Sequence, residues 1–246
     1  FGSPRRYNVE TSEDANIKSL LSANTPVCAI FGKSWDLHVT EILKISLEDN
    51  LEIVFDTVSY LKGLGKEVVF DAEHFFDGYK NNPDYAMKVI DTAVRAGADC
   101  VCLCDTNGGM MPDKLGEITK AVCMTFPDTK IGIHCHDDCG CAVANSVTAV
   151  QNGASSVQGT FVGFGERCGN ADLATIIANL ALKCGYLVGG NINNLRQTSI
   201  FISEVSNVRL RNNKPYVGKS AFAHKGGMHI DGVMKLSRSF EHIDPE

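Results

Sequence analysis

Apolar residues along this chain gather in short runs, and between the runs lie longer stretches in which they recur at helical spacing. The runs near Val27 to Phe31, Val68 to Phe70, Val101 to Cys104, Ile131 to His134 and Ser156 to Gly159 are strand-like. Helical patterns occupy the intervals near Leu37 to Leu64, Pro83 to Ala96, Pro112 to Phe126, Ala142 to Asn152 and Ala171 to Cys184. Five strand-then-helix units follow. Strict alternation implies parallel strands joined by right-handed crossovers, which leaves a doubly wound sheet or a closed barrel.

The polar residues separate these two architectures. A dinucleotide-binding sheet carries G-x-G-x-x-G after its first strand, and no strand here is followed by that pattern. Instead each strand ends in reactive groups: Lys33, Asp71 with Glu73, Asp105 with Thr106, His134 with His136, and Thr160. Function shared among several strand ends is how a (β/α)8 barrel builds its active site. The predicted fold is therefore an α/β TIM barrel lacking its first two to three strands, because eight units are needed and five are visible. The opening FGSPRR reads as a strand end running into a loop, so about two and a half units are expected upstream of Phe1. After Tyr186 the alternation stops. A polar linker near Gly189 to Asn194 leads to a helix-like segment up to Val208 and then to SAFAHKGGMHIDG, Ser220 to Gly232. The expected domains are 1–188, a partial catalytic barrel, and 189–246, a linker with a small, truncated, α-rich C-terminal subdomain.

At 246 residues with 44% apolar content the chain can bury a substantial core. Its net charge of −6, with scattered Lys and Arg, offers no basic stripe, so nucleic acid is not an expected partner. No run approaches the roughly 18 apolar residues of a membrane helix, and the N-terminus lacks a signal-peptide layout. A cytoplasmic location is expected, with no membrane partner. The ten cysteines lie within apolar segments of a large α/β chain and include no C-x-x-C pair, so they read as reduced, buried thiols. Cys100, Cys102 and Cys104 alternate along one strand and point to one face.

The sharpest chemical signal is GIHCHDD, Gly132 to Asp138. Two histidines two apart on a strand project from the same face, and imidazole pairs so placed suit a borderline divalent cation. The same pair also reads as a satisfied strand-end couple or a phosphate-facing one. A second signal, GFGERCGNADL at Gly163 to Leu173, follows the last strand and opens a helix. On its own Asn170 reads best as the cap of that helix, and Glu166 with Arg167 as a solvated pair.

The combination of GIHCHDD with GERCGNA resembles the family of 2-isopropylmalate, homocitrate and citramalate synthases and 3-hydroxy-3-methylglutaryl-CoA lyase, whose fold is a TIM barrel. The resemblance implies that His134, His136 and Asn170 ligate a divalent metal, with zinc, manganese or magnesium as candidates. A fourth ligand, the Asp of an R-D-G motif on the first strand, and its neighbouring Arg have no match here. FGKSWDLHVTE, FDAEHFFDGY, LCDTNGG and SAFAHKGG-H are similar to the citramalate synthase branch. The lyase branch carries a G-C-P-Y loop where this chain has FGFGERCGN, and it lacks the His-rich subdomain, so synthesis is favoured over cleavage.

What the resemblance implies is a metal-assisted condensation of acetyl-CoA with a 2-oxo acid, followed by thioester hydrolysis. Glu73 matches the active-site glutamate that moves a proton of the acetyl methyl group. Thr106 matches the threonine that holds the oxo-acid carboxylate, and His229 a subdomain histidine that helps activate acetyl-CoA or water in a partner subunit. The branch-like motifs point to pyruvate and hence to (R)-citramalate and isoleucine biosynthesis, with a homodimer as the implied assembly. Alternatives are 2-isopropylmalate or homocitrate synthesis, a metal-dependent lyase or aldolase, and a non-catalytic fragment with unpaired sheet edges.

Overall fold

The computed structural model describes residues 1–244. The elements, in chain order, are α1 (Ala15–Ser22), β1 (Val27–Lys33), α2 (Leu47–Gly63), β2 (Glu67–Glu73), α3 (Phe75–Asn81), α4 (Pro83–Arg95), β3 (Cys100–Asp105), α5 (Pro112–Thr125), β4 (Lys130–Cys135), α6 (Ala142–Gln151), β5 (Ser156–Gln158), α7 (Leu173–Leu182), α8 (Leu195–Ser206) and α9 (Gly227–Lys235). Two compact units result. The first comprises Phe1–Gly159 with Gly165–Ala171, and the second Thr160–Phe164 with the residues from Asp172 onward. This partition falls ahead of the division at residue 189 expected from sequence.

In the first unit all five strands pair in parallel, and their spatial order is their chain order, β1 to β5. A doubly wound sheet reverses direction at a switch point; here there is none, as a TIM barrel requires. Curvature is visible in one bond. Gln158 on β5 donates from Nε2 to Asp71 Oδ1 on β2 at 2.7 Å, although β3 and β4 lie between. Three strand spacings of about 4.8 Å would hold them about 14 Å apart in a flat sheet, so the strands curl toward each other. β1 and β5 form the edges of this sheet. Beyond β1, Gly2 donates to the Ala29 carbonyl and accepts from Phe31 N, a single parallel bridge.

The strand faces explain the pattern in the sequence. Cys28, Ile30, Val68, Phe70, Val101, Leu103, Ile131 and Ile133 are buried, and they supply one face of β1 to β4. The helices start where the side chains allow. Asp14 accepts from Asn16 N and Ile17 N, Ser46 and Asp49 form a capping box on α2, and Asn82 precedes Pro83 at the head of α4. The single long helix expected from Leu37 to Leu64 is instead a π-helical turn, His38–Leu43, followed by α2. Lys44 in the left-handed region and the capping box at Ser46 break it.

Gly78 sets how closely α3 approaches the end of β1. A Cβ there would stand 2.3 Å from the Ser34 carbonyl oxygen and 3.0 Å from Trp35 Cα, both backbone atoms. Gly78→Ala is therefore expected to cost about 1–3 kcal/mol, read as a fall in thermal midpoint; an unchanged midpoint would contradict this close packing.

The second unit is helical. Tyr216 donates its hydroxyl to Asn179 Oδ1 at 2.6 Å, Lys214 pairs with the buried Asp172 at 3.4 Å, and Val217 is buried. All ten cysteines are free, and burial pushes the Cys102 and Cys135 thiols well above their ordinary range, as expected of packing residues. No helix among the described residues is long and apolar enough to cross a membrane.

Candidate active site

Side chains of registered parallel neighbours share a face. Lys33 lies opposite Glu73, Cys104 opposite His134, and His134 opposite Gln158. These residues therefore form one layer near the C-terminal ends of the strands. One step deeper, Phe31, Asp71, Cys102, Gly132 and Ser156 are likewise in register. A cavity of about 220 Å³ opens above, lined by Phe1, Phe31, Asp71, Glu73, Cys104, Thr106, His134 and His136. A larger hollow, about 390 Å³, lies over Arg5, Glu10 and Asp56; it gathers surface charges but none of the strand-end groups. Most of the strand-end groups line the smaller one.

His134 and His136 meet inside it. Their Nε2 atoms are 3.3 Å apart, and two donors bound tetrahedrally to one cation at about 2.1 Å stand about 3.4 Å from each other. The ring spacing thus fits joint ligation. Asn170 is brought to His136 by an antiparallel bridge, in which Asp137 N donates to Gly169 O at 2.9 Å and Ala171 N to Cys135 O at 3.0 Å. Its amide packs on Gly165, where any Cβ would lie 2.7 Å from Asn170 Cγ. Asn170 does not cap α7; Asp172 does, accepting from Thr175 N. Asn170 Oδ1 is instead buried with no hydrogen-bond partner among the described residues, as is His136 Nδ1.

A buried, unpartnered amide oxygen costs free energy unless something occupies it. The two imidazole nitrogens 3.3 Å apart, with Asn170 bridged to His136, supply donors of the kind that suit a borderline divalent cation. Burial, then His134 and Arg167, hold the His136 ring below the ordinary imidazole range, and the neutral ring is the form that ligates. Among the described residues no three His, Cys, Asp or Glu side chains converge as a metal cage. The candidate set here is two imidazoles and one amide, which a carboxylate would complete.

The remaining groups surround this point. Lys33 Nζ pairs with Glu73 Oε2 at 2.5 Å, and Ser34 ties down the Glu73 carbonyl through both N and Oγ. Thr106 Oγ1 accepts from His74 N at 2.8 Å, so its own proton is free for a ligand. Arg167 does not pair with Glu166. Its guanidinium grips Asp138 through Nε and Nη2 at 2.7 and 2.8 Å and reaches the Thr106 carbonyl, strapping the Asn170 loop to two strand ends. That contact holds the Asp138 carboxyl below its usual range. The strap and the Lys33 to Glu73 pairing are not legible in any local motif.

His229 lies on α9 in the second unit, stacked on Phe240 with ring centroids 4.5 Å apart and 6.2 Å from the His224 ring.

Comparison with known proteins places this arrangement among relatives. A profile of the HMGL-like family matches residues 4–202. The chain is 54% identical, over its whole length and 47% of the relative's, to an (R)-citramalate synthase of Aquifex aeolicus. It is 52% identical, with the same coverage, to an (R)-citramalate synthase of Geobacter sulfurreducens. The chain thus spans about half the length of the curated relatives it matches. Among solved structures it resembles an HMG-CoA lyase of Bacillus subtilis, with a TM-score of 0.71 at 19% identity, covering 85% of this chain and 70% of that one; this likeness concerns the fold alone.

Proposed function

This chain belongs to the HMGL-like family, and from that membership we propose that it is the catalytic portion of an acyltransferase condensing acetyl-CoA with pyruvate to (R)-citramalate. The observation that carries the reading is the meeting of His134 Nε2 and His136 Nε2 in one cavity that also contains Glu73 and Thr106, with the unpartnered Asn170 bridged by its backbone to His136. The identity to curated (R)-citramalate synthases over the full chain supports the choice of pyruvate.

His134, His136 and Asn170 would hold a divalent cation, which when bound supplies Lewis-acid polarisation of the oxo acid's keto group. Thr106, whose oxygen is already occupied by the His74 amide, directs its proton to the substrate carboxylate. Glu73 takes a proton from the acetyl methyl group, and Lys33 on its Oε2 orients the carboxylate for that transfer. The methyl carbon then forms the new C–C bond at the keto carbon as the C=O π pair moves onto oxygen, which takes up a proton to become the hydroxyl of the product. Water cleaves the thioester, releasing CoA and making the condensation irreversible. His229 assists at the acetyl-CoA or water step in the barrel of a partner subunit. The functional division runs at residue 189, the assembly is a homodimer, and the enzyme works in the cytoplasm.

The intact enzyme, supplied with acetyl-CoA and each of pyruvate, 2-oxoisovalerate and 2-oxoglutarate, is expected to release free thiol fastest with pyruvate. Preference for either other acid would move the activity to isopropylmalate or homocitrate synthesis, and no thiol release with any would end the synthase reading.

A further inference from the structure

His134 and His136 face the same point, but only one of them is held from behind. His134 Nδ1 lies 3.0 Å from Gln158 Oε1, whereas His136 Nδ1 is buried with no partner among the described residues. The orientation of the Gln158 amide is fixed by its other end, because Nε2 donates to Asp71 Oδ1 at 2.7 Å. Asp71 is 5% exposed, and the Oδ1 that takes this bond acts as an acceptor and carries no proton. With the NH2 group committed to Asp71, the Gln158 oxygen must face the ring. His134 Nδ1 must then carry the proton, and the lone pair is left on Nε2, the atom 3.3 Å from His136. The three residues come from β2, β5 and β4, so the wiring exists only once the sheet has curled.

We propose that Gln158, anchored by Asp71, is the positioning residue that fixes the tautomer and ring plane of His134 and thereby sets the affinity of the site for its divalent cation. This rests on the metal site of the proposed function. The register places Gln158 directly opposite His134 on the neighbouring strand, so the hydrogen bond needs no loop movement. An outer partner of this kind raises ligand basicity and removes the entropy of ring flipping, and losing it typically weakens metal binding about 10–100-fold. The site therefore has one imidazole held from behind and one, His136, whose residue is held through its backbone, by the bridge to Asn170 and by a bond from its N to the Asp105 carbonyl.

The test uses the intact enzyme stripped with EDTA and titrated with MnCl2, free Mn2+ being read by electron paramagnetic resonance. Gln158→Met keeps the length of the side chain and deletes the amide; it is expected to weaken Mn2+ binding by about 10–100-fold. The pair Asp71→Asn with Gln158→Glu rebuilds the relay with its charge moved one residue along: the new amide on β2 donates to the new carboxylate on β5, which in turn accepts from His134. It is expected to recover most of the lost affinity, which a merely structural role for Gln158 does not predict. In metal-free enzyme labelled with 15N-histidine, the His134 resonances should report a single Nδ1-protonated tautomer, and a mixture in Gln158→Met. Mn2+ uptake indifferent to Gln158→Met, or a mixed tautomer in the unsubstituted enzyme, overturns this inference alone. Failure of the unsubstituted enzyme to take up Mn2+ sinks the metal site and this claim with it.

Discussion

The His136→Ala enzyme is expected to lose its divalent cation at micromolar free metal and to turn over about 10³-fold more slowly, the equivalent of about 4 kcal/mol of transition-state stabilisation. Three protein donors are in view, and the ring of His136 contributes one of the two nitrogens that stand 3.3 Å apart. Its removal leaves His134 and Asn170 too few to organise the cation against water. The backbone bridge from 135–137 to 169–171 does not involve the imidazole, so the Asn170 loop stays in place and the thermal midpoint of metal-free protein should barely move. Metal content by atomic emission and turnover with pyruvate are measured together. A variant that keeps stoichiometric metal, or that keeps its rate after the metal has gone, removes the basis for the proposed mechanism.

A second large effect is expected at Glu73. Glu73→Gln preserves shape and hydrogen-bonding capacity but removes the proton acceptor, and general-base groups of this kind contribute about 10²–10⁴-fold to turnover. The change should appear in kcat, with metal affinity left as in the parent, because the Glu73 carboxylate bonds to Lys33 and its carbonyl to Ser34, and neither bonds to the two histidines. Deuterium exchange from the methyl group of acetyl-CoA into solvent, followed without the full reaction, should fall in parallel. If Glu73→Gln exchanges that proton as fast as the parent, the base is another residue. Lys33→Met supplies the contrast: it disturbs how Glu73 is held while leaving the carboxylate in place, so its loss should be smaller.

The barrel architecture was legible because its signal is local and repeated. β1 alternates buried and half-buried residues, Cys28 and Ile30 among the buried ones, β2 buries Val68 and Phe70 likewise, and polar groups stand at the strand ends. Less visible were elements whose signal is short or mixed. Phe75–Asn81 is a seven-residue helix that begins at His74 in the left-handed region and contains Gly78, so neither length nor composition announces it. The site divides in the same way. Two histidines two apart on a strand advertise a shared face, but Asn170 in isolation reads as a helix cap, and its separation from that task depends on Asp172 taking it over. Gln158 offers nothing locally: one amide in a three-residue strand acquires meaning only from Asp71, 87 positions away. Arg167 beside Glu166 suggests a surface pair, and only the folded loop reveals that it reaches Asp138 and Thr106 instead.

The agreement between spatial and chain order of the strands has a consequence for biosynthesis. On a ribosome, where polypeptide emerges at about 5–20 residues per second, every new strand of this sheet finds its neighbour already made, so pairing need never wait for sequence not yet translated. The cross-link from Gln158 back to Asp71 is the exception, since it closes only after four earlier strands have assembled and bent. A nascent copy that has made β4 and not yet β5 therefore carries both histidines before Gln158 exists to bond His134.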